Sequence, residues 1–218
     1  MKRTVDVVVG TALALLSLPV VVALAVVTVV NLRAWPFFVQ TRIGAGGVPF
    51  RIVKLRTLPL STAHYADKRA LDSIPLTWIS RTLRRTHLDE LPQLLLVPIG
   101  RMSLVGPRPE MAFLHEQMPS WFARRRTEVR PGCTGLWQIG RASAGLIVEA
   151  PAYDLHYVDN RSTLLDLWIV WRTVTLVLGR PTVSLDEVPA WLSPAGTINP
   201  FSLSHGHTHA DIEVDPAA

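Results

Sequence analysis

Cysteine is nearly absent: Cys133 is the only one in 218 residues. No intrachain disulfide can form, which excludes a disulfide-stapled scaffold and fits a reducing compartment. Charge is absent from the 24 residues Val7 to Val30, which excludes an ordinary solvated start to the chain. Lys and Arg are absent from residues 181–218, which hold five acids: Asp186, Glu187, Asp211, Glu213 and Asp215. The first 180 residues therefore carry 22 basic against 12 acidic side chains, a net charge of +10. Such a body favours an anionic partner, whether nucleic acid, anionic lipid or a phosphorylated substrate. No internal repeat is present, which excludes a repeat array.

What is present begins with the apolar segment, preceded by Lys2, Arg3 and Asp6. As a helix, Val7 to Val30 extends about 36 Å, enough for a hydrocarbon core of roughly 30 Å. A spanning anchor is one reading. A cleaved leader is another, with Ala23-Leu24-Ala25 as the small-residue site, although the apolar run continues beyond it. The third is a re-entrant helix. Pro19 lies mid-segment, where it removes a backbone hydrogen bond and bends the helix. Ser17 is placed to satisfy a carbonyl freed by that bend. Basic residues flank both ends, with Arg33, Arg42 and Arg51 after the segment, so the positive-inside tendency favours both ends on the cytoplasmic side. Trp35-Pro36-Phe37-Phe38 reads as an interfacial belt.

Phe37 to Gln40 and Pro49 to Leu55 read as two short strands joined through Gly44, Gly46 and Gly47. Residues 60–77 carry no pattern and read as a loop. Helices are expected at Leu76 to Leu83, Glu90 to Ile99, Phe113 to Arg126 and Leu164 to Leu178, the last buried or interfacial. After Pro181 the composition shifts to Pro, Ser, Gly and His, the mark of a loose tail. The alternating His205, His207 and His209 lack structured neighbours that would make a metal site. The expected fold is mainly α with a small β-hairpin (α+β). It divides into a membrane helix over 1–34, a catalytic domain over 35–180 and a flexible tail over 181–218.

Thr86-His87-Leu88-Asp89-Glu90-Leu91-Pro92-Gln93 carries paired carboxylates. By itself this is the pattern of a helix start, with Asp89 as N-cap and Pro92 in the first turn. A helix N-terminus also favours negative charge and gathers phosphates. Adjacent carboxylates repel, so a cation is needed to keep both ionised. Mg2+ takes one or two carboxylates together with phosphate oxygens. Carboxylate nucleophiles are an established device in phosphoryl transfer. Gly106-Pro107-Arg108-Pro109 and Arg130-Pro131-Gly132 each set an arginine on a rigid turn, suited to holding a diphosphate. Lys54 and Arg56 alternate on the second strand, and Arg81, Arg84 and Arg85 precede the acids at helical spacing. Each alone is an ordinary surface charge; their convergence on one acidic pair points to phosphate chemistry. Cys133 has no base beside it in sequence and reads as a small packed residue.

With these motifs in this order, the chain resembles the bacterial sugar transferase family, the monotopic polyprenyl-phosphate phosphoglycosyl transferases. The likeness spans about residues 1–180. It rests on Lys2-Arg3 with Asp6, Pro19, Phe38 to Gly44, Pro49 to Thr57, Leu88 to Gln93, Met102 to Pro109, Arg130 to Gln138 and Tyr153-Asp154-Leu155. Leu18 stands where the family has Ser before the membrane proline, and Ser17 is one position earlier.

The resemblance implies transfer of a sugar-1-phosphate from a UDP-sugar to undecaprenyl phosphate with release of UMP. It gives Asp89 the role of nucleophile and Glu90 a share in holding Mg2+, with Asp89 beside it. Lys54, Arg56, Arg81, Arg108 and Arg130 become the residues expected to bind substrate phosphate. It implies that Pro19, with Ser17, breaks the membrane helix, and that the protein lies on the cytoplasmic face of the bacterial inner membrane. Expected partners are the UDP-sugar, undecaprenyl phosphate and membrane lipid, without nucleic acid and with a homodimer allowed. The rival reading is a non-catalytic membrane-anchored scaffold or anionic-lipid-binding module in polysaccharide assembly.

Overall fold

A computed structural model describes residues 2–62 and 74–195. Most of the 60–77 stretch and the His205, His207 and His209 series lie outside the described residues. The fold is mainly helical, about 58% of it, with a small antiparallel strand pair, as the patterning implied.

Helix α1 (Lys2–Leu32) is assigned without interruption through Pro19. Pro19 has no N–H to give the Leu15 carbonyl. The Ser17 hydroxyl donates one residue earlier, to the Ala14 carbonyl at 2.9 Å. Only a stripe of α1 is buried, comprising Asp6, Gly10, Ala14, Val21 and Thr28. The remaining faces are apolar and exposed, Leu16 and Val30 among them.

Both ends of α1 are bonded to the rest of the protein. At the N-terminal end, Arg3 donates to the carbonyls of Val97 and Pro98, both at 2.8 Å. The Asp6 carboxylate accepts from the Ser103 hydroxyl at 2.7 Å and the Leu104 N–H at 3.1 Å. Lys2 meets Asp166 at 2.6 Å. Gly10 allows this close approach, since a Cβ there would lie 2.5 Å from a Val97 methyl. At the far end, the Asn31 amide donates to the hydroxyls of Thr77 and Ser80 at 3.0 and 3.3 Å.

Strands β1 (Phe37–Ile43) and β2 (Pro49–Leu55) pair antiparallel, with Phe37 opposite Leu55 and Ile43 opposite Pro49. The connection passes Gly46 and Gly47, both at positive φ. Phe50 and Ile52 bury against Val97 and Met102. Helix α2 (Trp78–Arg85) is capped by Thr77, whose hydroxyl accepts the Ser80 N–H at 3.1 Å.

A second sheet, unsuspected from sequence, pairs β3 (Ser103–Val105) with β4 (Gly132–Thr134) in parallel. It binds the two proline-arginine turns together: the Gly132 N–H donates to the Pro107 carbonyl and the Gly106 N–H to the Thr134 carbonyl, both at 2.9 Å. A Cβ on Gly132 would fall 2.1 Å from the Gly106 nitrogen, so this contact requires glycine.

The helix expected over Phe113 to Arg126 is two, α3 (Ala112–Glu116) and α4 (Ser120–Thr127). Pro119 divides them, because it cannot donate to a preceding turn. Helix α5 (Leu136–Ile139), α6 (Pro151–Asn160) and α7 (Thr163–Val177) complete the main core with Phe122, Tyr157, Leu165 and Ile169. The outer side of α7 remains apolar and exposed at Leu164, Leu167 and Trp171. Pro181 to Ala195, read from composition as the start of a loose tail, is packed instead. Val183 pairs with Gly140, and Val183, Val188 and Leu192 enter the core. Three spaced apolar side chains suffice to hold a segment that composition alone marks as loop.

Candidate active site

The chain turns sharply between α2 and the dyad. His87 adopts φ 56°, a left-handed conformation that a non-glycine residue adopts rarely. A 3-10 helix follows over Leu88–Leu96, so His87 is its N-cap and Asp89 lies inside its first turn. The expected α-helix with Asp89 as cap is thereby corrected. Side chains three apart eclipse in a 3-10 helix. Glu90 and Gln93 consequently share one face, and Asp89 lies on the next.

The two carboxylates have different surroundings. Glu90 Oε1 accepts from Lys54 Nζ at 2.5 Å and Arg108 Nη2 at 3.2 Å. Burial alone would push the Glu90 carboxyl up, but Lys54 and then Arg108 outweigh it and hold the group well below the usual carboxylate range. Asp89 is also buried, yet among the described residues its carboxylate has no hydrogen-bond or ion-pair partner. Burial first, and the neighbouring Glu90 charge second, raise its pKa to about 6, against the pull of Lys54, Arg84 and Arg108. The pair thus consists of one carboxylate held by two cations and one left free beside them.

Lys54 arrives from β2 and Arg108 from the Pro107-Arg108-Pro109 turn. They line one cleft with Arg42, Glu90, Gln93 and Cys133. Burial lowers the Lys54 pKa despite Glu90. The Glu90 charge raises that of Arg108. Behind the turn lies a buried ion pair between Arg126 of α4 and Asp154 of α6, at 2.8 Å. Arg126 Nη2 also donates to the Arg108 carbonyl at 2.7 Å.

Among the expected phosphate-binding residues, Lys54 and Arg108 meet at Glu90. The others lie elsewhere. Arg56 donates to the carbonyls of Trp35 and Phe37 and stands over the Phe38 ring. Arg81 is exposed and donates to the Leu76 carbonyl at 3.5 Å. Arg130 is exposed and donates to the Gly100 carbonyl at 3.1 Å. In α2 it is Arg84 whose charge reaches Asp89. Arg42, Gln93 and the Arg126–Asp154 pair escaped the reading by charge pattern. The Tyr153-Asp154-Leu155 stretch was the sole signal for the last. Burial, then the charges of Glu90 and Asp6, push the Cys133 thiol up to about 12, which disfavours its thiolate.

Among the described residues no cluster of three or more His, Cys, Asp or Glu forms a metal cage. Two adjacent carboxylates, with both cation contacts on the single oxygen Glu90 Oε1, fit a hard ion that shares its shell with water and substrate phosphates, as Mg2+ does. They do not fit an ion bound wholly by protein.

Residues 1–180 match the family model for bacterial sugar transferases. The chain is 37% identical over 193 residues to a UDP-glucose:undecaprenyl-phosphate glucose-1-phosphate transferase of Caulobacter vibrioides, covering 81% of this chain and 69% of that protein. It is 40% identical over 184 residues to the uncharacterized sugar transferase EpsL of Bacillus subtilis, covering 82% and 87% respectively. A UDP-N-acetylgalactosamine-undecaprenyl-phosphate N-acetylgalactosaminephosphotransferase of Aeromonas hydrophila is 31% identical over 183 residues, covering 81% of this chain and 43% of that protein. The matched length takes in the hairpin, the dyad and both proline-arginine turns, and the chain belongs to the bacterial sugar transferase family.

Proposed function

We propose that the protein transfers a sugar-1-phosphate from a UDP-sugar to undecaprenyl phosphate, working at the cytoplasmic face of the membrane. The observation that carries this reading is the division of labour in the dyad. Glu90 is gripped by Lys54 and Arg108, while Asp89 stands buried and unbonded beside the same cations.

In the first half-reaction an Asp89 carboxylate oxygen attacks the sugar-bearing phosphorus. The bond from that phosphorus to the bridging oxygen breaks, and UMP leaves with the bridging oxygen and its electron pair. In the second, an oxygen of undecaprenyl phosphate attacks the same phosphorus. The bond to Asp89 breaks, the carboxylate is restored, and a polyprenyl diphosphate sugar departs. Both attacking groups are anionic near neutral pH, so the protein's task is alignment and charge stabilisation. Lys54, Arg108 and Arg84 supply positive charge around the reacting phosphate. Glu90, with Asp89, would hold Mg2+, which when bound neutralises diphosphate oxygens.

The placement at the membrane is supported by α1. Its two ends are bonded to one folded body, at Asp166, Val97 and Ser103 on one side and Thr77 and Ser80 on the other. Those bonds form with α1 uninterrupted through Pro19. A helix spanning the bilayer would put the partners of its two ends on opposite sides, whereas one that enters and leaves by the same face keeps them on one. The exposed apolar faces of α1 and α7 suit contact with lipid.

The test is to incubate the purified protein with UDP-sugars labelled in the sugar-linked phosphate while withholding the lipid acceptor. A labelled adduct mapping to Asp89, chased into lipid on adding undecaprenyl phosphate, is the expected result. UMP release that occurs only with both substrates present and no trappable adduct would replace the two-step route with direct transfer.

A further inference from the structure

Lys54 Nζ and Arg108 Nη2 are each engaged with Glu90 Oε1, so a ligand reaching those atoms meets a carboxylate already bound there. Two other side chains of the same cleft are in the opposite condition. Arg42 is 8% exposed and Gln93 is 3% exposed. Arg42 Nε and Gln93 Nε2 are both buried N–H groups without a hydrogen-bond partner, although each belongs to a residue lining the cleft. Native proteins seldom leave a buried donor unpaired, and the instances that persist call for an explanation such as a ligand.

Both donors are held in place. Arg42 Nη1 donates to the Pro109 carbonyl at 3.2 Å and lies 3.7 Å from Glu110 Oε2. The next residue along β1, Ile43, donates its N–H to the Glu110 carbonyl at 2.9 Å. Gln93 is one 3-10 turn after Glu90, on the face the cleft shares. Both residues line the cleft together with Glu90, and neither donor has an internal bond to give up on meeting an oxygen-rich anion.

We infer that Arg42 and Gln93 are substrate-contacting residues, receiving oxygens of the donor nucleotide's diphosphate through Arg42 Nε and Gln93 Nε2. The inference rests on the proposed use of a UDP-sugar at this cleft. It adds to the cations' roles: Lys54 and Arg108 fix Glu90 as well as lending charge to the reacting phosphate, while Arg42, with Gln93, contacts the donor's diphosphate. Arg42→Lys retains the charge and deletes the Nε donor. Gln93→Leu retains the bulk and deletes the amide.

The experiment uses the full chain in detergent or lipid nanodiscs, with UDP in the presence of Mg2+ as the probe. UDP affinity is measured by calorimetry, the melting temperature without ligand is recorded, and UMP release from UDP-glucose and UDP-N-acetylgalactosamine is followed in parallel. The expected result is at least a tenfold weaker UDP Kd in each variant, with the melting temperature of Gln93→Leu equal to or above wild type, because Gln93 Nε2 makes no internal hydrogen bond. Arg42→Lys also gives up the Nη1 bond to the Pro109 carbonyl, so its affinity is read beside its melting temperature. Affinities within twofold of wild type in both variants overturn the inference, as does failure of wild type to bind UDP. A lowered melting temperature with unchanged affinity assigns both residues to packing and overturns it equally. Where Arg42→Lys does not fold, Gln93→Leu alone decides between these results. UDP binding that depends on both residues, in a protein that releases no UMP with either sugar, upholds the inference and rules out glucose and N-acetylgalactosamine as the sugar transferred.

Discussion

Arg126 donates to the main-chain oxygen of Arg108 at 2.7 Å, so a buried arginine holds the backbone of a second arginine whose side chain grips Glu90. Asp154 completes the arrangement by taking both Nε and Nη2 of Arg126. The core beneath α4 and α6 is thereby tied to the geometry of the dyad.

Asp154→Ala should be among the most damaging single changes. It strands a buried guanidinium, a change that typically costs about 3–5 kcal/mol. Denaturant unfolding in detergent would measure it. Arg126→Met added to Asp154→Ala should recover part of the stability but little of the transfer rate, since the Arg108 carbonyl then lacks its donor. Recovery of both together would assign the pair to stability alone.

The raised pKa of Asp89 has a stability consequence with a definite sign. Its folded value of about 6 exceeds the ordinary 3.8, so folding favours the protonated form. Stability is therefore lost as pH rises from about 4 through about 6, and the full cost persists above that, on the order of 3 kcal/mol. Asp89→Asn should abolish transfer yet melt higher than wild type at pH 8 in EDTA, with the difference vanishing near pH 4. Thermal unfolding across that range checks it; an Asn variant less stable than wild type at pH 8 contradicts the assignment. Glu90, Lys54, Arg84 and Arg108 face Asp89 and contribute to both proteins, so subtraction isolates the one group.

Chelation supplies another check. Removing divalent ions with EDTA should lower UMP release by a factor of about 100 or more, since charge stabilisation of this kind is worth several kcal/mol. Adding back Mg2+ should restore it, and monovalent salt should not. Undiminished release in EDTA would leave Lys54, Arg108 and Arg84 as the sole neutralising groups.

Pro19→Ala tests the course of α1. With the backbone bond that Pro19 lacks restored, a helix of this length and apolarity is able to cross the bilayer, which would carry Lys2 away from Asp166 and Asp6 away from Ser103. With Cys133→Ser as background, Lys2→Cys should react with a membrane-impermeant reagent only from the cytoplasmic side. Adding Pro19→Ala should expose that cysteine to the other side and reduce transfer. Identical labelling in both proteins would show that Pro19 does not set the path.

The β-hairpin was legible because two apolar runs flank a glycine-rich turn, and the dyad because adjacent acids are conspicuous beside fixed arginines. The β3–β4 sheet was not, since three-residue strands offer no period to read. Arg126 and Asp154 lie 28 positions apart, and nothing local to either announces the other. The single helix read over Phe113 to Arg126 passed across Pro119, whose break is plain once the two helices are seen. Arg42 and Gln93 are ordinary residues of a strand and a short helix; what distinguishes them is a missing partner, a property only three dimensions contain.

The ion pair joining the second residue to one 164 positions further along also bears on biosynthesis. On a ribosome the opening segment emerges long before its latch has been translated. Its partners at Val97, Pro98, Ser103 and Leu104 are made first and Asp166 only with α7, so the last of the bonds that seat it belongs among the closing events of maturation.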